Sequence, residues 1–262
     1  MTNFFDLTYT QVRDMAPATA EKVLHSILAD RASVTGGGKI LRWSEYNENP
    51  DLLINRLLAK LLIDKMNPDW FDNLSYKNIV VISIESSAAY LAVELAFEVM
   101  RAFCLDRPLR IIRARKTETE RSLSPAMSDD RCTVEVEPIT ANGGVRHLTA
   151  SFPHETDFSA VKLAIVLDDF KATGSTLGGG IKLAQTLIKP ERIIPMAAMG
   201  KSWQANVDVD FGEGVEQPLV GLDARFWWDK KEGKALISVN DLAPLPLVRV
   251  KKKDFMSDKG RK

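Results

Sequence analysis

The stretch Ala164-Ile165-Val166-Leu167-Asp168-Asp169-Phe170-Lys171-Ala172-Thr173-Gly174-Ser175-Thr176-Leu177 decides how the chain is read. Residues 163–167 form a continuous apolar run, as expected of a strand covered on both faces. The run ends in two adjacent carboxylates. A turn of Thr, Gly and Ser follows, and residues 177–188 then show the apolar spacing of a helix. Strand, turn and helix in that order form the repeating unit of an α/β sheet.

In open sheets of this kind, ligands bind outside the carboxyl ends of the strands, where Asp168 and Asp169 would lie. The first amides of the following helix have no internal partners and, with the helix dipole, favour an anion. Gly174 lets the backbone approach closely, and the hydroxyls of Thr173, Ser175 and Thr176 add donors. A phosphate suits the turn. The carboxylates suit something that is not an anion: sugar hydroxyls, a hydrated metal or a developing positive charge. A helix cap alone would need one such residue, not Asp168, Asp169, Thr173, Ser175 and Thr176 together. Two familiar phosphate loops do not fit. Gly174 and Gly179 have the spacing of a nucleoside-triphosphatase loop, but Gly180-Ile181 replaces its Lys and Ser/Thr. Gly174-Ser175-Thr176 also breaks the dinucleotide glycine pattern.

Working outward, residues 79–84 (IVVISI) predict a second buried strand, with a helix from about 88 to 103 and a strand over 109–112. Residues 133–139 and 145–152 predict a hairpin around Asn142-Gly143-Gly144, within a polar, punctuated segment beginning near Lys116. Residues 192–198 predict a fourth strand. Upstream, residues 19–29 read as a helix. Leu53, Leu57, Leu58, Leu61 and Leu62 read as another, capped at Asn49-Pro50. The expected architecture is α/β, with a central, mostly parallel sheet flanked by helices.

Composition excludes several classes. The 262 residues hold 35 Lys plus Arg against 35 Asp plus Glu, so no global charge points to nucleic acid. Two cysteines are too few for a disulfide framework or a Cys-rich metal site. His25, His147 and His154 have no ligand spacing, and no metal site built by the protein alone is expected. The start has no signal-peptide pattern and no apolar run is long enough for a membrane span, so a cytoplasmic protein without membrane contact is expected.

The apolar residues before Asp168-Asp169, with Thr173-Gly174-Ser175-Thr176 after them, resemble the ribose-5-phosphate loop of the type I phosphoribosyltransferases. Ile84-Glu85-Ser86-Ser87, Arg113-Ala114-Arg115-Lys116, Lys201-Ser202-Trp203, Lys231-Glu232-Gly233-Lys234 and Ile40-Leu41-Arg42 are similar to bacterial xanthine phosphoribosyltransferases. The likeness spans roughly residues 38–240.

The resemblance implies a type I phosphoribosyltransferase fold with a small hood from the N- and C-terminal segments. Residues 1–37 would be an extension. Residues 38–250 would be the domain, with its core at about 77–200 and its hood from 38–50 and 201–245. Residues 251–262 would be a disordered basic tail. Asp168 and Asp169 would hold the ribose hydroxyls of phosphoribosyl pyrophosphate (PRPP), and Ala172, Thr173, Gly174, Ser175 and Thr176 its 5′-phosphate. Glu85, Ser86, Ser87 and Ala88, with Arg115 and Lys116, would face the pyrophosphate. Leu41 and Lys201 would contact a purine base, a 6-oxopurine rather than adenine. Magnesium would bridge pyrophosphate and ribose, and a homodimer is expected. A regulator that senses PRPP without turnover is the alternative, since one fold serves both.

Overall fold

The computed structural model describes residues 7–35, 40–42, 51–85, 88–118, 126–128, 130–136, 146–171, 175–201 and 212–255. Its strands are, in chain order, β1 (Ser33–Thr35), β2 (Ile40–Arg42), β3 (Ile79–Glu85) and β4 (Arg110–Glu118). β5 (Ala126–Ser128), β6 (Arg131–Val136), β7 (Arg146–Ser151) and β8 (Leu163–Lys171) follow. β9 (Arg192–Lys201), β10 (Leu219–Asp229), β11 (Lys234–Val239) and β12 (Leu245–Pro246) complete the set. Strands β3 to β12 make one sheet in the order β12-β11-β10-β9-β8-β3-β4-β7-β6-β5. The inner run β10-β9-β8-β3-β4 is parallel, and the wings on both sides are antiparallel. The fold is α/β, as the alternation of apolar runs requires.

Apolar residues at alternate positions of the central strands point to opposite faces, and each face has its own core. On one side Val81 and Ile165 share a core with Leu91 and Leu95 of the helix Ala88–Ala102, Leu57 and Leu62 of the helix Leu52–Asp64, and Leu24 and Leu28 of the helix Pro17–Arg31. On the other, Val80, Ile82, Ala164 and Val166 meet Ile181, Ala184 and Leu187 of the helix Ser175–Leu187. That helix lies very close to the sheet. A Cβ on Gly180 would come within 2.5 Å of Val166 Cγ1 and 2.9 Å of Ile84 Cδ1. The residue that breaks the nucleoside-triphosphatase pattern thus seats the helix over β3 and β8.

Four expectations change. Asp51, not Asn49-Pro50, caps the helix Leu52–Asp64, its Oδ1 accepting from the amides of Leu53 (2.7 Å) and Ile54 (3.2 Å). The helix Pro17–Arg31, read as part of an extension, belongs to the main core, because Leu24 and Leu28 are fully buried there. Within 201–245, assigned to the hood, residues 219–229 and 234–239 extend the central sheet, since β10 pairs parallel with β9. The tail begins with an ordered turn, Lys252–Phe255, whose Phe255 ring packs 6.0 Å from Trp228 and 6.4 Å from Phe226. Residues 256–262 lie outside the described residues.

Gly180→Ala should lower stability even though alanine gains about 1 kcal/mol of helix propensity. The clash with stiff Val166 outweighs that gain, as overpacking costs about 1 to 3 kcal/mol. Adding Val166→Ala should recover part of the loss in denaturant titrations. A Gly180→Ala single variant as stable as the parent would show that the helix can ride higher.

Candidate functional site

The sheet divides at one place. The β3–β8 ladder ends at Ser83 opposite Leu167. Beyond that rung β3 continues only with β4, to Glu85 opposite Arg115. β8 continues only with β9, to Lys171 opposite Gly200. A crevice therefore opens at the carboxyl ends of β3 and β8, with Glu85 on one lip and Asp168-Asp169 on the other. The helix after β3 lies on one face and the helix after β8 on the other, and the strand order runs outward in both directions from this pair. Open α/β sheets bind ligands at such a reversal.

Strand alternation separates residues that are adjacent in sequence. Asp168 continues the row of Ala164 and Val166, on the face of the helix Ser175–Leu187. Asp169 continues the row of Ile165 and Leu167, on the face of the helix Ala88–Ala102. Arg115 and Lys116 split in the same way. Arg115 Nε donates to Glu85 Oε2 at 3.0 Å, whereas Lys116 Nζ stands 3.6 Å from Asp168 Oδ1. Lys116 therefore reaches past the end of β3, which lies between β4 and β8, and bridges the crevice.

Asp168 is 1% exposed and accepts from the amide of Asp169 at 3.0 Å. Burial pushes its carboxyl up to about 8; Lys116 opposes that rise and the charge of Asp169 adds to it. Asp169 is half-buried. The carboxylates are not equivalent: one is a buried acid that holds its proton near neutrality, and the other stands nearer to water.

Ser175 and Thr176 are the first two residues of their helix and are half-buried. Ala88 opens the other helix and is fully buried. Lys201 ends β9, opposite Ala224, at the same edge of the sheet as the acids. Leu41 lies on β2, paired with Val34 in a separate two-stranded sheet whose β1 rests against the turn Lys252–Phe255. Ser86, Ser87, Ala172, Thr173 and Gly174 lie outside the described residues.

Two site residues were missed at the sequence level. Arg113 shares the face of Arg115 and pairs with Glu85 Oε1; its signal was the two-residue spacing on a strand. Ser83, fully buried with no partner for its hydroxyl, stands at the last rung before the crevice; its signal was one polar residue inside an apolar run. Among the described residues no cluster of three His, Cys, Asp or Glu could hold a metal, and no helix is long and apolar enough to cross a membrane.

No family model and no curated protein matches the chain. Among solved structures it is similar to adenine phosphoribosyltransferase of Saccharomyces cerevisiae, at 12% identity and a TM-score of 0.49, over 76% of this chain and 98% of that one. The corresponding enzyme of Thermoanaerobacter pseudethanolicus gives 14% identity and 0.46, over 76% and 98%. A hypoxanthine phosphoribosyltransferase of Staphylococcus aureus gives 14% and 0.38, over 63% and 71%.

The raised Asp168 value has a consequence for stability. An unfolded aspartate titrates near 3.9, so between about 4 and the folded value of about 8 the folded chain holds the extra proton. The contribution of this group to stability is full below pH 4 and is lost as pH rises through 8, at about 1.4 kcal/mol per unit. In thermal melts, Asp168→Asn should flatten the fall in Tm between pH 5 and pH 9. An Asn variant that falls as steeply as the parent would contradict this.

Proposed function

We propose that the chain is a purine phosphoribosyltransferase, transferring the ribose 5-phosphate of PRPP to a 6-oxopurine with release of pyrophosphate. The observation that supports this most is the division of the sheet between β3 and β8. Glu85 and Asp168-Asp169, the cations Arg115 and Lys116 and the start of the helix Ser175–Leu187 belong to the strands and helix that border this division. PRPP carries an anionic end on each side of a neutral sugar, and the proposed site assigns residues in that order.

In this reading the 5′-phosphate sits on residues 172–176, where first-turn amides and hydroxyls supply donors. Asp168 and Asp169 hold the ribose hydroxyls. Asp168, protonated near neutrality, donates one hydrogen bond as well as accepting. The pyrophosphate faces residues 86–88, Arg115 and Lys116. In the reaction the bond from C1′ to the pyrophosphate oxygen breaks, and the leaving group keeps the electron pair. A base nitrogen supplies the pair for the new bond and gives up its proton. Positive charge grows on the sugar between these events, and the acids lie beside it.

Lys116 links the two ends of the site. It lies 3.6 Å from Asp168, and its side chain is 42% exposed. An arriving pyrophosphate draws the ammonium away. Magnesium, bound mainly by substrate oxygens and water as this ion prefers, would add charge neutralisation on the leaving group. Asp169 is the carboxylate nearest to water that could join it.

Lys201 at the end of β9 would choose the base, with Leu41 packing on it. An ammonium has three donors and no acceptor, so it suits the carbonyl of an oxopurine and opposes the amino group of adenine. A second copy of the chain is proposed against Tyr90, Val93 and Phe97, which are 49%, 44% and 45% exposed and share one face of the helix Ala88–Ala102.

With PRPP, magnesium and single purine bases, pyrophosphate release should appear for an oxopurine ahead of adenine. Asp169→Asn should lower turnover at least tenfold, the effect of about 1.4 kcal/mol in the barrier. Adenine as the best substrate would overturn the base assignment. PRPP binding without turnover of any base would favour the sensor. Phe97→Glu should convert a dimer to a monomer in light scattering; an unchanged mass would move the interface elsewhere.

A further inference from the structure

The large sheet ends at β5, well away from the crevice. Among the described residues β5 pairs only with β6, with Met127 opposite Cys132. Its outer edge therefore carries backbone donors and acceptors with no ladder partner among those residues. Ala126, Met127 and Ser128 put no charge on it, although charged side chains commonly guard such edges. Met127 shares the face of Cys132 and Ala150, which are fully buried in the core under the helix Ser175–Leu187. That helix packs on β6 and β7, and Met127, one strand further out, is 62% exposed.

Between Met127 and the end of the helix lies a groove of about 500 Å³, walled by Met127, Phe152, Phe158 and Leu187. The two rings meet edge to face at 5.3 Å. The turn between them is pinned, since the amide and the hydroxyl of Thr156 both donate to the Pro153 carbonyl, at 3.0 and 2.6 Å. The Phe152 amide donates to the Asp130 carbonyl at 3.0 Å. The walls are thus held by the chain's own bonds. The rim is acidic. Asp130, Glu155 and Asp157 are exposed, and Ser128 Oγ donates to Asp130 Oδ1 at 3.0 Å. Against these three acids, Arg110 stands over the Phe158 ring at 5.9 Å.

We propose that β5 and this groove form a docking site for an extended, basic segment of a partner protein, which adds a strand to the sheet and seats one large apolar side chain in the groove. β4, β7 and β6 separate this edge from the crevice, so the proposal does not depend on the transfer reading. An added strand supplies the ladder partners that the edge lacks, and main-chain bonds give it affinity while side-chain pockets give it specificity. Side chains alternate along such a strand, and the residue opposite Met127 projects on the face of Met127, over the groove. The acids of the rim select Lys or Arg beside it. β5 has only three residues, so the ladder bonds are few and the seated apolar side chain is the anchor. A second copy of this chain fits badly. Antiparallel pairing of β5 with itself would bring the same acidic rims together, and the strand has no cation to answer them.

A random peptide library displayed on phage should be panned on the immobilised full chain, with Met127→Glu as the counter-selection. It should enrich segments with one aromatic or long aliphatic residue flanked by Lys or Arg. In fluorescence polarisation the enriched peptide should lose about tenfold or more in affinity on Met127→Glu, the scale of a hot-spot side chain, and about tenfold on Glu155→Lys. Methylating its edge-facing amide nitrogens should abolish binding. Thermal melts like the parent's report that both variants are folded. No enrichment over the counter-selection overturns the site. Peptides that bind Glu155→Lys as tightly as the parent overturn the charge assignment, and N-methylated peptides that still bind overturn strand addition. A parent dimer in sedimentation that Met127→Glu dissociates would place a second copy on the edge and overturn the partner.

Discussion

The end of the β3–β8 ladder at Ser83 and Leu167 is the constraint on which the site depends. Hydrogen-bonded strands stand about 4.8 Å apart, which leaves no room for a ligand between them. Space appears only where the ladder stops, and it stops because each strand remains paired on its far side alone. Two right-handed crossovers leave this pair in opposite directions, so their helices must lie on opposite faces. Both helices begin at the carboxyl end of the strand that precedes them, at the end of the sheet where the gap opens. Gly180 sets how close one of the helices comes, since its missing Cβ is what lets Val166 and Ile84 touch the helix backbone region. A helix held higher would lift its first amides away from the acids.

Pairing across the crevice follows from the same geometry. Polar residues that follow apolar runs at the carboxyl ends emerge alternately on two faces. Glu85, Arg113 and Arg115 gather on one, and Lys116 and Asp168 on the other. The second pair is the costlier. Burying a carboxylate in a low-dielectric setting costs several kcal/mol, and a single lysine that is itself partly in water does not offset this. The outcome is the raised value of Asp168 rather than a strong ion pair. On the first face, a nearly buried glutamate with two exposed arginines remains a stable arrangement, because the guanidiniums keep their water.

The sequence disclosed the central strands because burial on both faces leaves a mark: IVVISI and AIVL are apolar at every position. It also disclosed the helix after each, through apolar spacing. It did not disclose where the strands end. β4 runs on to Glu118 and β8 to Lys171, beyond the apolar residues, since a strand paired with a neighbour needs no apolar side chains once it clears the core. The acids and Arg115 were legible from residue type. Their division between faces was not, because reading 168-169 and 115-116 as pairs overlooks the alternation of a strand. Arg113 was overlooked for that reason. Helix Pro17–Arg31 was read as part of an extension because it precedes residues 38–240, which carry the resemblance; His25 Nε2 meets the carbonyl of Ile237 at 3.1 Å and fixes the helix to β11.

Alternation also explains how one small crevice can treat the two ends of a ligand differently. Had Asp168 and Asp169 shared a face, two carboxylates side by side would have titrated as a pair sharing one proton. Placed on opposite faces, they experience different surroundings. Asp168 lies under the helix Ser175–Leu187, keeps its proton near neutrality and has the Lys116 ammonium 3.6 Å away. Asp169 opens toward the face where Glu85 has already gathered two guanidiniums. A cation that leaves Asp168 for an anion on the far lip makes the buried carboxyl still harder to ionise. On the proposed reading, the protonated form that can donate to a sugar hydroxyl would then be more fully populated. On that reading, Lys116, 3.6 Å from Asp168, would be the side chain that couples the two lips.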